Sequence, residues 1–189
     1  MQKLPVLVIE HCEPELSEWL MLEYVHASKL WKGDVVFTNI KGEKLATWLR
    51  PLGKVEAKGI DELFSGKRCI VLDPQAEKQL DAGDFSNLDS VIVGGILGYE
   101  APQGRTKKLI SDRYGYETRN LGRTQLSIDG AVFVAKAIAL GMKLSEIEIA
   151  TEVEIVHDET HSTVLPFGYP VIDNNPILTP GLVEYLTRE

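Results

Sequence analysis

Three places in the 189-residue chain join residue types suited to chemistry with positions where α/β proteins perform it. Leu72-Asp73-Pro74, Gly94-Gly95-Ile96-Leu97-Gly98 and Asn120-Leu121-Gly122 each follow a short run with strand character, so each is a turn at the carboxyl end of an expected strand. In a parallel sheet such ends converge on the crevice that receives ligands. Glycine there lets backbone N–H and C=O groups approach a bound molecule with no Cβ in the way. Tight turns and helix caps use the same residues, so one loop alone distinguishes nothing; three along one sheet edge strengthen the case for a site. The loop at 94–98 fits neither G-x-G-x-x-G nor G-x-x-x-x-G-K-[ST], and no expected helix follows it to offer free N–H groups to a phosphate. Its apolar Gly-Ile-Leu-Gly surface suits the flank of an adenine ring or a thioether better than a triphosphate.

Periodicity outlines the elements that carry these loops. Leu4–Ile9 is an apolar, β-branched run expected as a strand buried on both faces. Pro14 suits a first helical position, and Leu16, Leu20, Tyr24 and Ala27 recur at near-helical spacing up to Gly33. Asp34–Thr38 and Lys67–Leu72 read as further strands, and Glu43–Arg50 as a short helix stopped by Pro51. Ser90–Val93 and Tyr116–Arg119 lead into the glycine loop and the Asn-Leu-Gly turn, and a helix opens at Ser127 with Asp129 in its first turn. Strands alternating with helices predict an α/β fold with a mostly parallel sheet. Beyond residue 143 the character changes: Ile149–Val156 alternates like an edge strand, His161–Phe167 can pair with it, and Thr179–Leu186 reads as a closing helix. The expected organisation is a core over 1–143 and a small acidic C-terminal extension, 144–189, packing on it as a lid or docking element.

Composition narrows the function classes. With 44% apolar and 25% charged residues the chain is of globular type, long enough to bury about 70% of its unfolded surface. The N-terminal apolar stretch is short and turns acidic, so neither a membrane span nor a secretory signal is expected. Cys12 and Cys69 show no metal or redox spacing, which fits a reducing cytoplasm. The net charge is −8, and residues 144–189 alone hold one Arg against nine Asp and Glu. Residues 103–123 carry six basic residues against Asp112 and Glu117, a patch for phosphate or carboxylate, or simply a solvated face. Overall acidity disfavours general nucleic-acid binding, which scales with the phosphates neutralised.

The order Leu72-Asp-Pro, Val93-Gly-Gly-Ile-Leu-Gly98, Arg105-Thr106, Arg119-Asn-Leu-Gly122 and Gln125-Leu-Ser-Ile-Asp129 resembles the SPOUT class of S-adenosylmethionine methyltransferases. More closely, it resembles the SPOUT family first described as predicted RNA methyltransferases, whose characterised eukaryotic member methylates an arginine of a ribosomal protein. Ile9-Glu-His-Cys-Glu13, Glu18-Trp19, Leu22-Glu-Tyr24 and Leu165-Pro-Phe167 extend the likeness over nearly the whole chain. The resemblance implies a C-terminal deep trefoil knot with S-adenosylmethionine bent in its crevice. The cofactor would meet Leu72, Asp73 and Pro74; Gly94, Gly95, Ile96, Leu97 and Gly98; and Asn120, Leu121, Gly122, Gln125, Leu126 and Ser127. It also implies a monomer or a knot-mediated homodimer. Two departures stand out. The family favours an Asp just after the glycine loop and a Pro-Pro before the Arg-Thr, where this chain has Tyr99-Glu100-Ala101-Pro102-Gln103-Gly104, so Glu100 stands in one residue late. The basic residue expected after Leu-Pro-Phe is Gly168.

Methyl transfer to arginine requires a protonated planar fork to be held and to lose a proton, a task for carboxylates. Glu10, Glu13 and Asp129 are the catalytic candidates, although Glu13 and Asp129 also suit helix-end capping. His11 can assist proton movement or serve as a hydrogen-bonded structural residue. Arg105 and Glu100 are assigned to the substrate side. Trp19 and Tyr24 suit the core, and His157 and His161 suit a solvated turn, so no metal is assigned. The acidic extension favours a basic protein substrate. RNA bound by residues 103–123, and a non-catalytic ribosome-associated binding module, are the competing readings.

Overall fold

The computed structural model describes residues 3–98, 103–158 and 160–188. Its centre is β1 (Val6–His11), flanked by β2 (Val35–Thr38) and β5 (Ser90–Gly95). With β3 (Lys54–Val55), β4 (Cys69–Leu72) and β6 (Glu117–Arg119) these form a six-stranded sheet of order β3-β2-β1-β5-β4-β6, every pairing parallel. The α/β class and parallel sheet expected from the sequence are therefore present.

The apolar runs make this sheet because both faces are covered. Leu7 and Ile9 pack with Leu20 and Tyr24 of α1 (Glu18–Trp31) and Val132 and Ala135 of α5 (Ile128–Ala139). Val8, Val71 and Ile92 point to the opposite face, against Ile60 of α3 (Ile60–Leu63), Phe64, and Ile110 of a π-helical stretch, Lys107–Ser111, that runs into α4 (Asp112–Tyr114). Near β2, α2 (Glu43–Leu49) borders the first face through Leu45, Ala46 and Trp48.

Local differences from the expected elements have physical causes. Helix α1 starts at Glu18, not at Pro14, because the Ser17 hydroxyl accepts the Leu20 N–H at 3.2 Å and caps it there. Strand β5 continues through Gly94 and Gly95, which pair in register with Glu10 and His11. The run 149–156 is two strands: β7 (Ile149–Ala150) pairs with β10 (Tyr169–Ile172), which also carries β11 (Asn175–Pro176), whereas β8 (Val153–Val156) pairs with β9 (Ser162–Leu165). The closing helix α6 (Leu182–Thr187) begins only after Gly181.

The C-terminal residues join the core through Trp19, Phe167, Tyr169 and Leu182, and through Gly168 N–H, which donates to the Gln125 carbonyl at 2.8 Å. Beneath them lie two buried carboxylates. Glu23 accepts from Trp19 Nε1 at 2.6 Å and from Ile128 N at 2.9 Å; Asp129 Oδ2 accepts from His26 Nδ1 and Thr179 Oγ1, both at 2.6 Å. This cluster ties α1, α5 and the C-terminal segment together. Burial, with Asp129 adding repulsion, pushes the Glu23 pKa up to about 8. A carboxyl group raised in the folded state binds more protons than in the unfolded chain, so its contribution is complete below the unfolded value and is lost as pH rises toward 8. Stability measured by urea denaturation should therefore fall between pH 5 and pH 8, and Asp129→Asn should flatten that slope. Asp129→Ala, which strips His26 and Thr179 of their acceptor, should cost about 2–4 kcal/mol in the same assay.

Candidate functional site

The three loops meet at the carboxyl edge of the sheet and enclose about 900 Å³ of empty space, open mouth included. Leu72, Asp73, Pro74, Gly94, Ile96, Leu97, Gly98, Leu121, Gly122, Gln125, Leu126 and Ser127 line it, as does Arg105. Asp73 is buried and shapes its loop, accepting from Ser111 Oγ at 2.6 Å and from Gln75 N at 2.9 Å. Asn120 and Gly95 do not line the space. Asn120 clamps two loops instead, its amide donating to the Ala76 carbonyl at 2.8 Å and its carbonyl accepting from Gly122 N at 3.0 Å. Gly95 is where the Tyr24 hydroxyl lies against the backbone, and a Cβ there would collide with it. Gln75, Val93, Gln103, Gly104, Thr106, Thr124, Ile128 and Ala131 also line the cavity without having been assigned to it. Val93, Thr106 and Ile128 belong to the motifs that carry the family resemblance, and most of the others are chain neighbours of assigned residues. Glu100 lies outside the described residues.

Gly98 closes one wall. A Cβ on it would overlap both the Gln125 amide and the Phe167 ring, so the Leu-Pro-Phe segment of the extension seals this loop by direct contact.

The candidate carboxylates separate in space. Glu13 sits ahead of α1, not within it, and its carboxylate reaches the glycine loop and Arg105: Oε1 accepts from Leu97 N at 2.9 Å and Arg105 Nη1 at 2.7 Å, and Oε2 from Arg105 Nη2 at 3.2 Å. A carboxylate offers about four lone-pair sites, so one site on Oε2 remains. Glu10 alternates with Ile9 and therefore points to the other face of the sheet. There it is buried, accepts from Thr38 Oγ1 at 2.5 Å, and has its pKa raised chiefly by desolvation. Asp129 is turned away into the cluster with His26 and Thr179. Neither Glu10 nor Asp129 lines this cavity or the second one beside it; of the three, Glu13 lines the second.

Glu13 lines a second, more open cavity, with His11, Cys12, Glu15, Leu16, Met21, Asn39, Lys41, Lys44, Leu45 and Trp48 among its walls. His11 Nδ1 lies 2.9 Å from Tyr24 Oη, and burial lowers its pKa, so the ring is neutral at pH 7. Burial pushes the Cys12 thiol up to about 12, which keeps it a neutral wall group.

Half of the basic stretch is paired internally. Arg105 forks onto Glu13 and Arg119 onto Asp84 at 2.7 and 2.9 Å, Lys107 Nζ donates to Asp112 Oδ1 at 2.5 Å, and Arg113 stacks over Tyr114 at 5.1 Å. His157 and His161 hydrogen-bond Thr163 and Asp158 within the extension.

Comparison with known proteins agrees with this geometry. Structures of Trm10 share the fold, with TM-scores of 0.57 for the Thermococcus kodakaraensis protein and 0.61 for a full-length protein bound to SAH, at 14% and 10% identity. The fold is that of the SPOUT methyltransferases. The family model described as "Protein arginine N-methyltransferase SFM1-like" matches residues 6–189, and the chain belongs to that family. Protein arginine N-methyltransferase SFM1 of Saccharomyces cerevisiae is 30% identical over 96% of this chain and 94% of its own length. The crystal structure of the yeast enzyme complexed with SAM superposes with a TM-score of 0.88 at 27% identity, covering 99% of this chain and 92% of that one.

Gly98→Ala tests the seal. The backbone there accommodates alanine, so the added methyl acts only through overlap with Phe167 and Gln125 and should cost about 1–3 kcal/mol in urea denaturation.

Proposed function

We propose that this chain is an S-adenosylmethionine-dependent methyltransferase that modifies an arginine of a ribosomal or other basic protein in the cytoplasm, with the cofactor in the first cavity. The observation that carries this reading is the convergence of three strand-end loops on one apolar, glycine-lined space in a chain of the SFM1-like family. The space fits the cofactor. Leu72, Val93, Leu97, Leu121 and Leu126 suit an adenine ring and a thioether, and backbone groups of the loops supply hydrogen bonds. When bound, S-adenosylmethionine supplies a sulfonium-activated methyl group.

The chain's own residues then align the acceptor and handle its proton. The guanidinium nitrogen gains the methyl, the sulfonium becomes a thioether, and one N–H proton leaves, so the product guanidinium stays singly charged. Glu13, with one lone-pair site on Oε2 still available, accepts a guanidinium N–H and turns the planar fork toward the first cavity. Arg105 and Leu97 N hold that carboxylate in place, which makes Arg105 a positioning residue. His11 takes the departing proton, in the tautomer whose Nδ1–H donates to Tyr24 Oη and whose Nε2 keeps its lone pair. Glu10 and Asp129 act through packing, by their orientation.

A trefoil knot is also part of this reading. Asn120 N–H donates to the Lys78 carbonyl at 2.8 Å and Leu80 N–H to the Asn120 carbonyl at 3.0 Å, so the chain leaving β6 lies along the segment between β4 and β5, as a threaded chain would. Residues 144–189 serve as a lid on the core of residues 1–143, supported by Phe167 on Gly98 and Gly168 on Gln125. A protein substrate is favoured over RNA because Arg105, Arg119 and Lys107 face carboxylates of the same chain.

Methyl-labelled S-adenosylmethionine with undermethylated ribosomal material should give label that protease releases and nuclease does not. Nuclease-sensitive label would overturn the protein-substrate reading. Glu13→Gln should lower kcat about 100-fold. Turnover should fall on the acid side of an apparent pKa below 6.5, and His11→Asn should abolish that limb.

A further inference from the structure

We propose that Glu23 is a positioning residue for the methyl donor: one oxygen of its carboxyl group holds the start of α5, the other holds Trp19 behind the glycine loop, and together they set the affinity for S-adenosylmethionine. This rests on the methyltransferase reading and deepens it. Glu18-Trp19 and Leu22-Glu23-Tyr24 are among the motifs that carry the family likeness, yet none of these residues lines either cavity. Glu23 is 1% exposed, on the buried stripe of α1 with Leu20, Tyr24 and Ala27. Its influence on the site therefore runs through its neighbours.

The direct arm ends at a wall of the first cavity. Oε2 accepts from Ile128 N at 2.9 Å. That amide opens a 12-residue helix and has no partner within it, as is general for the first N–H groups of a helix. Ser127 Oγ accepts from Gly130 N at 3.2 Å, so the two side chains share out donors of the first turn. Ser127, Ile128 and Ala131 line the cavity, and the carboxyl group fixes how far into it they stand. The relayed arm ends at the glycine loop. Trp19 lies one helical turn before Glu23, so its Nε1 donates to Oε1 at 2.6 Å. Its ring meets Phe167 edge to face, centroids 6.1 Å apart at 84°, and Tyr185 of α6 lies against it at 6.3 Å. Phe167 in turn lies against Gly98, which lines the cavity. An indole whose single N–H is held keeps its orientation, so the ring that backs Phe167 stays in place.

Two donors converging on one side chain require an acceptor on each oxygen. A carboxyl group provides both, ionised or carrying its proton, whereas a glutamine amide provides one and turns an NH2 toward the other donor. Packing alone would be served as well by glutamine, which has the same shape.

The test uses the full-length protein at pH 7, with the Kd for S-adenosylmethionine read by calorimetry, methylation of undermethylated ribosomal protein measured in parallel, and folding followed by urea denaturation. Glu23→Gln should raise the Kd about 10-fold, the equivalent of one lost hydrogen bond, with kcat at saturating cofactor within about twofold of wild type. Trp19→Phe, which removes only the relayed bond and keeps a ring against Phe167, should raise it about threefold. The double variant Trp19→Phe/Glu23→Gln should bind no more weakly than Trp19→Phe alone, because the amide no longer faces an opposing donor. Trp31→Phe is the control: it loses the Nε1 bond to the Pro5 carbonyl at the far end of α1 and should lower stability with the Kd unchanged. A wild-type Kd in Glu23→Gln and Trp19→Phe, or a Kd raised as much in Trp31→Phe as in Glu23→Gln, would overturn the role of Glu23. Should Glu23→Gln fail to fold, Trp19→Phe against Trp31→Phe decides in the same way. Cofactor affinity that follows these substitutions without methyl transfer would keep that role and reject the arginine-methyltransferase reading; transfer by a wild type and a Glu23→Gln variant of equal Kd would do the reverse.

Discussion

The carboxylate of Glu13 is the joint on which the arrangement depends. Parallel pairing delivers the ends of β1 and β5 to the same edge and holds them in register as far as His11 opposite Gly95. Beyond that point the ladder ends and the two chains diverge. Glu13 bridges the gap by accepting from Leu97 N, and Arg105 locks it with a two-pronged fork. Because Arg105 neutralises the carboxylate, the bridge persists in a half-buried setting where an unpaired charge would be costly. One set of hydrogen bonds therefore sets the shape of the first cavity and the inner wall of the second.

A second buried polar unit holds the C-terminal residues over this edge. Removing two carboxylates from water is costly, and here the cost is offset by four donors from three elements: Trp19 and His26 on α1, Ile128 N at the start of α5, and Thr179 in the C-terminal segment. Tyr169 contributes a buried hydroxyl with no partner among the described residues, close enough to Glu23 and Asp129 for both to raise its pKa. The same helix start that presents Ser127 and Ile128 to the cavity is thus fixed from behind by the cluster. The position of the C-terminal segment and the cavity wall are mechanically one feature.

Much of the frame could be read from the chain. The strand at the N-terminus and those before the Asp-Pro turn and the glycine loop are continuous apolar runs because each is covered on both faces, as buried parallel strands are, whereas the strand before the Asn-Leu-Gly turn, Glu117–Arg119, is a polar strand at the sheet edge. Ser127 was recognised as a helix start, and its hydroxyl does accept from Gly130 N at 3.2 Å. Short elements escaped. Lys54–Val55 and Ile60–Leu63 are too brief to show a period, and the π-helical stretch at 107–111 has no distinctive pattern. Pro14 suggested an early start for α1, but the segment before Ser17 is extended so that Glu13 can reach across to Leu97.

By itself the sequence determined the class of fold, the three glycine-, Asp- or Pro-bearing turns at strand ends and the family likeness, since these depend on local periodicity and residue order. Only the tertiary structure decided what each charged side chain faces. Glu10, Glu13 and Asp129 were equivalent candidates along the chain, yet one lies on the far face of the sheet beside Thr38 of the next strand, one reaches across the edge to Arg105, and one turns back into a buried cluster. A strand buried on both faces does not reveal which face meets the cavity, and a carboxylate at a helix start reads the same whether it caps, binds or anchors. Likewise Arg105 and Arg119 read as a basic patch until packing supplied Glu13 and Asp84, partners 92 and 35 residues away. Contacts over such separations arise from how the elements stack, and no local pattern encodes them.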